Sequence, residues 1–249
     1  MTASALTGKP TLPKHVGIIM DGNGRWAHAR GSARLHGHQK GAEVARDVAG
    51  WAQEMGVKQL SLYAFSTENW DRPKPEVRGL MSLLAVMLPR SLAEMEKNGV
   101  RFRVLGDIAP LPVRARRAVE YACAKTAANT DLDLILCLNY GGQQEILAAV
   151  KEAVRWVANQ PVQNEALDAL SIDKLRSMMW RHDIAPLDLM IRTGGEKRIS
   201  NFHLWDAAYA ELYFTGVLWP AFGKQDLQAA LAEYASRERR FGLTSEQVR

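Results

Sequence analysis

Residues 132–138 read Leu-Asp-Leu-Ile-Leu-Cys-Leu, and from Leu134 to Leu138 no polar side chain interrupts the run. A strand with one wet face alternates apolar and polar residues, whereas a strand covered on both faces reads as continuous hydrophobicity. This stretch therefore predicts a mostly parallel central sheet flanked by helices, an α/β architecture. Similar runs lie on either side of it. Residues 16–20 (VGIIM) stop at Asp21-Gly22-Asn23-Gly24, residues 60–65 stop at Ser66, and residues 101–105 and 187–191 add two more strand candidates. Between them Val44, Val48, Trp51 and Met55 recur at helical spacing with Gly56 as a stop signal, and a leucine- and methionine-rich helical stretch covers residues 76–97.

In open parallel sheets, ligands bind beyond the carboxyl ends of the strands. Polar clusters fall at those places: residues 21–25 after the first strand, 66–72 after the second and 192–200 after a later one. Three clusters so placed predict one shared site. No repeat, low-complexity tract or linker divides the chain, so residues 15–249 are read as one domain behind a polar leader, residues 1–14.

The 249 residues are 47% apolar, enough for a substantial core, and carry a formal charge of +5. A basic balance favours anionic partners: phosphorylated metabolites, nucleic acid or acidic membrane surfaces. No nucleic-acid-binding module or aromatic and basic stripe is present, so nucleic acid is not an expected partner. Cys123 and Cys137 sit in apolar surroundings without CxxC spacing, which predicts buried free thiols in a reducing cytoplasm rather than a disulfide or zinc site. No apolar stretch approaches the ~18 residues of a membrane span, and the first residues lack the apolar segment of an export signal.

MDGNGRWA, residues 20–27, puts an acid, two glycines, an amide and an arginine directly after a strand. Glycine lets backbone N–H groups approach phosphate oxygens, Arg25 adds charge-assisted donors, and Asp21 suits an oxygen-liganded Mg²⁺ bridging to phosphates. The same string also fits a tight turn whose Asp and Asn bond locally. Gly22, Gly24 and Ala27 match a loose dinucleotide fingerprint, but Glu43 falls inside a predicted helix rather than at the end of the second strand. Asn23 stands where an aspartyl phosphatase needs its second acid, and no GxxxxGK[ST] loop occurs.

Taken in order, HVGIIMDGNGRWA (15–27), RLHGH (34–38), LYAFSTENWDRP (62–73), NYGG (139–142), IRTGGEKRISNF (191–202), ELYF (211–214) and RERRFG (237–242) resemble the cis-prenyltransferase family, most closely its bacterial undecaprenyl diphosphate synthase branch. The absence of DDxxD sets aside the all-helical trans-prenyl synthases. The resemblance implies the cis-prenyltransferase fold and sequential condensation of isopentenyl diphosphate with an allylic diphosphate, normally farnesyl diphosphate. The product implied is a long Z-polyprenyl diphosphate, a cell-wall lipid carrier precursor; a same-fold enzyme making shorter chains is the alternative. A non-catalytic partner subunit does not fit a chain that keeps Asp21, Arg25, Asn69, Arg192, Arg198 and Glu211 together.

By resemblance, Asp21 binds Mg²⁺, with Glu211 as a second acid placing the metal. Gly22, Asn23, Gly24, Arg25, Trp26, Arg34 and His38 lie about the allylic diphosphate, with Arg72 a further anchor. Arg192, Arg198, Ile199 and Ser200 match the isopentenyl diphosphate site. Ser66, Thr67, Glu68, Asn69 and Trp70 match the loop over the reacting carbons. The family's proton acceptor falls on Asn69, but a neutral amide is a poor base, so Asn69 is read as orienting a pyrophosphate oxygen or water that takes the proton. Trp26 and Trp70, ordinarily packing residues, are also read as shielding a reactive allylic cation from water.

The resemblance turns residues 76–95 from a core helix into one wall of a lipid channel, with Pro89 expected to break or kink it. Ala64 leaves room at the channel entrance. The spacing of His36 and His38 points them apart on a helix, against a metal pair. The resemblance further implies a cytoplasmic homodimer that meets the membrane peripherally, with ELYF in the sheet and dimer contact and Arg240 to Gly242 reaching a neighbouring subunit's diphosphate site. Gln143 and Lys197 depart from the family's usual Arg and His.

Overall fold

A computed structural model describes residues 12–237. Six strands form one sheet: β1 His15–Ile19, β2 Gln59–Ser66, β3 Val100–Leu105, β4 Leu132–Tyr140, β5 Leu189–Arg192 and β6 Glu211–Phe214. Their order is β3-β4-β2-β1-β5-β6, and every pairing is parallel. The helices are α1 Asn23–His28, α2 Arg34–Glu54, α3 Lys74–Lys97, α4 Val113–Lys125, α5 Gly142–Ala158, α6 Gln163–Asp168, α7 Ile172–Ser177 and α8 Lys224–Ser236.

The apolar run in β4 is divided between two cores. Leu134 and Leu138 join the larger one with residues of α2, α3, α4 and α8, while Ile135 and Cys137 join a second with Ile184, Leu187 and Phe202. Successive side chains of a strand point to opposite faces, so one continuous run can fill both. Each such side chain, fully buried, contributes about 1.5–3 kcal/mol of transfer free energy.

Residues 23–28 form the short helix α1 directly after Gly22, beyond the end of β1. Pro89 does not break α3, which runs unbroken from Lys74 to Lys97. The ring sits on the exposed side, while Met81, Leu88 and Leu92 bury the opposite face and offset a local cost of about 3 kcal/mol. At the start of the described residues, the Lys14 carbonyl accepts from the N–H groups of Lys58 and Gln59, and its own N–H donates to Asp188, so Lys14 is tied to the sheet. Residues 1–11 lie outside the described part.

His15, at the start of β1, is fully buried. Its Nδ1–H donates to the Ala185 carbonyl at 2.8 Å, which leaves Nε2 to accept from the Ser61 hydroxyl at 2.7 Å. Burial pushes its pKa down from 6.5 to about 4, against the opposing pull of the Ala185 carbonyl. His203, packed edge-on against it, is pushed well below its ordinary value by burial and by Arg181. The unfolded chain therefore binds protons that the folded one refuses. Stability is full above pH 6.5 and declines as pH falls towards 4, with His15 alone accounting for about 3 kcal/mol. Urea midpoints measured from pH 7.5 to 4.5 should fall with acidification, and His15→Gln should flatten part of that fall; an unchanged slope would remove His15 as a cause.

Candidate active site

The carboxyl ends of β1, β2 and β5 open onto a cavity of about 870 Å³ that runs down between the sheet, α2 and α3. The three polar clusters meet at its mouth. Asp21, Gly22, Asn23, Gly24, Arg25, Arg34, His38, Ser66, Glu68, Asn69, Arg72, Arg192, Arg198 and Ser200 all line it. Its interior is apolar, with Leu62, Ala64, Leu134 and Leu136 on the sheet side facing Leu80, Leu84, Met87 and Leu88 of α3.

Gly22 makes the sharp entry to α1, with φ +108°, and a Cβ there would meet Leu218 at 2.8 Å. Only glycine takes that backbone without strain. No side chain caps α1, so the orphan N–H groups of its first turn remain beside the mouth.

Arg192 ends β5 and is 4% exposed. One guanidinium nitrogen donates to the Arg198 carbonyl at 2.6 Å and to the Ser200 hydroxyl at 2.7 Å, and the other donates to Asp21 Oδ2 at 2.9 Å. Its Nε is buried and has no hydrogen-bond partner. Asp21 Oδ1 lies 3.4 Å from Arg25. The arginine ends β5 and the acid follows the adjacent parallel strand β1, 171 residues away in sequence.

Glu76, in the first turn of α3, is a residue that the sequence reading did not single out. Its carboxylate lies 3.4 Å from Arg34, 3.5 Å from His38 and 3.3 Å from Arg72. It gathers two arginines and a histidine, two of them from α2 and one from the segment before α3. Burial and the charges of Arg72 and Arg34 hold the His38 imidazole below its ordinary pKa despite the pull of Glu76. The i,i+4 spacing from Arg72 was the one signal available in the sequence. Asn69 Oδ1, the atom a proton acceptor would use, accepts from the Ser66 N–H at 3.2 Å. Its amide N–H₂ is what remains to hold an oxygen.

Five expected site residues do not line the cavity. Trp26 stacks under the Arg30 guanidinium at 4.1 Å. Trp70 donates to Asn139 Oδ1 at 2.8 Å and packs edge-on against Phe65, bracing the loop from behind. Thr67 has a buried hydroxyl without a partner, and Ile199 packs against the second core. Glu211 lies apart from Asp21 within one chain. Register pairs it with Leu189 at the start of β5, whereas Asp21 lies beyond the far end of β1, an end that is itself roughly 10 Å further along the strands. Its carboxylate pairs with Arg237 at 2.6 Å. Within one chain the two acids share no site, and the described residues hold no cluster of three or more His, Cys, Asp or Glu suited to a metal.

One carboxylate still fits a magnesium ion, which commonly takes one or two protein carboxylates and completes its shell with water and substrate phosphates. Asp21 offers such a hard oxygen at the mouth, with Oδ1 outside the Arg192 hydrogen bond. Gln143 lines the cavity and Lys197 is exposed.

A family model described as putative undecaprenyl diphosphate synthase matches residues 19–242. An isoprenyl transferase of Zymomonas mobilis subsp. mobilis is 46% identical over 93% of this chain and 92% of its own length. The ditrans,polycis-undecaprenyl-diphosphate synthase ((2E,6E)-farnesyl-diphosphate specific) of Escherichia coli (strain K12) is 45% identical over 93% and 90%. Among solved structures, lavandulyl diphosphate synthase from Lavandula x intermedia in complex with dimethylallyl diphosphate superposes with a TM-score of 0.88 at 34% identity, covering 93% of this chain and 99% of that one. A probable undecaprenyl diphosphate synthase from Campylobacter jejuni gives 0.74 at 33%, covering 92% and 98%. A parallel sheet whose strand ends gather Asp21, Arg25 and Arg192 over an apolar cavity, and matches of this extent, lead to one conclusion: the chain belongs to the undecaprenyl diphosphate synthase family of prenyltransferases.

Proposed function

We propose that this chain condenses isopentenyl diphosphate with an allylic diphosphate, farnesyl diphosphate at the outset, and repeats the step to build a long Z-polyprenyl diphosphate. The observation that carries the proposal is the union of a cationic mouth and an apolar interior in one cavity. Its volume sits at the upper end of the roughly 300–1,000 Å³ of small-molecule sites. A diphosphate on a growing hydrocarbon tail needs both halves.

Each cycle forms a carbon–carbon bond, breaks the allylic carbon–oxygen bond to pyrophosphate and releases one proton from the isopentenyl unit. Arg25, Arg34 and the neutral His38 hold the allylic diphosphate beside the first turn of α1, and Arg72 anchors it from the β2 side. The Arg192 fork and the Ser200 hydroxyl orient the second diphosphate, with Arg198 adding charge. Asn69 turns its N–H₂ to a pyrophosphate oxygen, and that oxygen receives the proton. Asp21 would hold a magnesium ion, which when bound would supply charge to stabilise the departing pyrophosphate. Leu80, Leu84 and Met87 receive the lengthening tail away from water.

The proposal extends to a cytoplasmic homodimer that delivers its product by peripheral membrane contact. β6 leaves one sheet edge open, and exposed Leu147, Val150 and Val154 form an apolar stripe along α5. No helix among the described residues is long and apolar enough to cross a membrane. Arg240 to Gly242 lie outside the described residues.

Purified protein given labelled isopentenyl diphosphate, farnesyl diphosphate and Mg²⁺ should yield long extractable polyprenyl products, abolished by EDTA. Products stopping after one or two additions would favour the short-chain reading, and no incorporation at any metal concentration would overturn both.

A further inference from the structure

Asn201 lies immediately after Ser200, on the cavity wall, with its backbone in the left-handed region at φ +64°. Asn tolerates that conformation, but glycine takes it at no cost, so the side chain is there for its bonds. Those bonds reach two other elements. Its Nδ2 donates to Glu68 Oε1 at 2.9 Å, on the loop after β2, and to Gln144 Oε1 at 3.1 Å, in the first turn of α5. Its Oδ1 accepts from the Gln143 backbone N–H at 2.9 Å, and its carbonyl accepts from Gly142 N–H at 2.7 Å. The backbone donor to Oδ1 fixes the amide's orientation, because the flipped amide would set N–H against N–H.

The neighbouring packing is built around this junction. A Cβ on Gly141 would lie 2.7 Å from Asn201 Nδ2, 2.1 Å from Gln144 Oε1 and 2.9 Å from Thr67 Oγ1. The loops that hold Thr67 and Asn201 close on Gly141 from two sides, and no larger residue fits between them. On one side of the junction Ser200 bonds Arg192. On the other, Glu68 directly precedes Asn69.

We infer that Asn201 is a positioning residue that locks the loop holding the reacting carbons to the loop holding the incoming diphosphate, so that the two substrates are set in one frame. The inference rests on the prenyl-transfer reading and deepens it. An error in the relative placement of two reacting groups costs rate even when each still binds.

The test reverses the polarity of the bridge. Asn201→Asp keeps the size and the bond from Gln143 but turns a carboxylate oxygen towards Glu68 and Gln144. Adding Glu68→Gln restores a donor and acceptor pair running the other way. Asn201→Asp is expected to lower kcat/KM by roughly 10- to 100-fold, the ratio matching loss of one charge-assisted hydrogen bond. Asn201→Asp/Glu68→Gln should be at least about tenfold more active than Asn201→Asp alone, a coupling between neighbours that a merely structural role would not give. Wild-type kcat/KM in Asn201→Asp, or a double variant no better than the single one, overturns the inference.

Should Asn201→Asp fail to fold, Asn201→Gly suits the backbone and should melt near the wild type with the same loss of turnover; full activity in it would again overturn the inference. Calorimetric binding of isopentenyl diphosphate needs no turnover: a wild type that binds and turns over while the Asn201 variants keep its kcat/KM overturns the bridge alone, whereas a wild type that neither binds nor turns over isopentenyl diphosphate overturns the reaction on which the inference rests.

Discussion

Replacing Asp21 with alanine is expected to lower kcat by at least ~10³-fold while leaving the fold in place, because about 4 kcal/mol or more of transition-state stabilisation depends on charge held at that carboxylate. Nothing in the backbone there needs the side chain. The Asp21 N–H donates to the Thr193 hydroxyl at 2.9 Å, and its carbonyl accepts from that hydroxyl at 2.8 Å and from the Trp219 N–H at 3.0 Å. The carboxylate itself touches Arg192 and Arg25. Its loss leaves the buried Arg192 short of one partner, which should lower the melting temperature by only a few degrees.

A guanidinium released from Asp21 still meets a diphosphate, so KM for isopentenyl diphosphate should not rise in step. Asp21→Asn keeps the shape without the charge and should behave like alanine. Steady-state kinetics beside a thermal melt decides the matter: wild-type kcat in either variant would take Asp21 out of the mechanism.

The largest effect on stability is expected at Arg181, which no reading of the sequence marked. It is wholly buried and forks between Glu145 at 2.5 Å and Asp206 at 2.7 Å, with further bonds to the Tyr140 hydroxyl and to His203 Nδ1. Those partners belong to α5, to the end of β4 and to the chain that follows Ser200. Arg181→Met keeps most of the volume but strands two buried carboxylates, which should cost about 3–5 kcal/mol. Adding Glu145→Gln removes one of the stranded charges and should recover part of that loss. Urea denaturation of the three proteins reads it directly; a single variant within about 1 kcal/mol of the wild type would show that the carboxylates find other compensation.

The contrast between these two residues marks what the sequence could tell. β1, β3, β4 and α2 stand where hydrophobic periodicity puts them, because one strand or helix carries its own pattern. Asp21 and Arg192 were legible because each follows an apolar run at a strand's carboxyl end, where parallel sheets place ligands. Arg181 and Asn201 act through partners from 22 to 133 residues away, and no local pattern encodes such pairs. Glu211 is a different case. Its motif is legible in the sequence, whereas the register that sets it level with Leu189, away from Asp21 within one chain, is a property of pairing and not of the string ELYF. Pro89 does not break α3, because packing on the opposite face outweighs the local rule.

The strand order has a consequence for synthesis on the ribosome. β1 is the first strand made, yet it occupies the interior of the sheet, and its second neighbour, β5, is not complete until residue 192. For most of translation the nascent chain therefore presents an apolar strand with one unpaired flank, the kind of exposed edge that nascent-chain chaperones shield and that otherwise seeds aggregates.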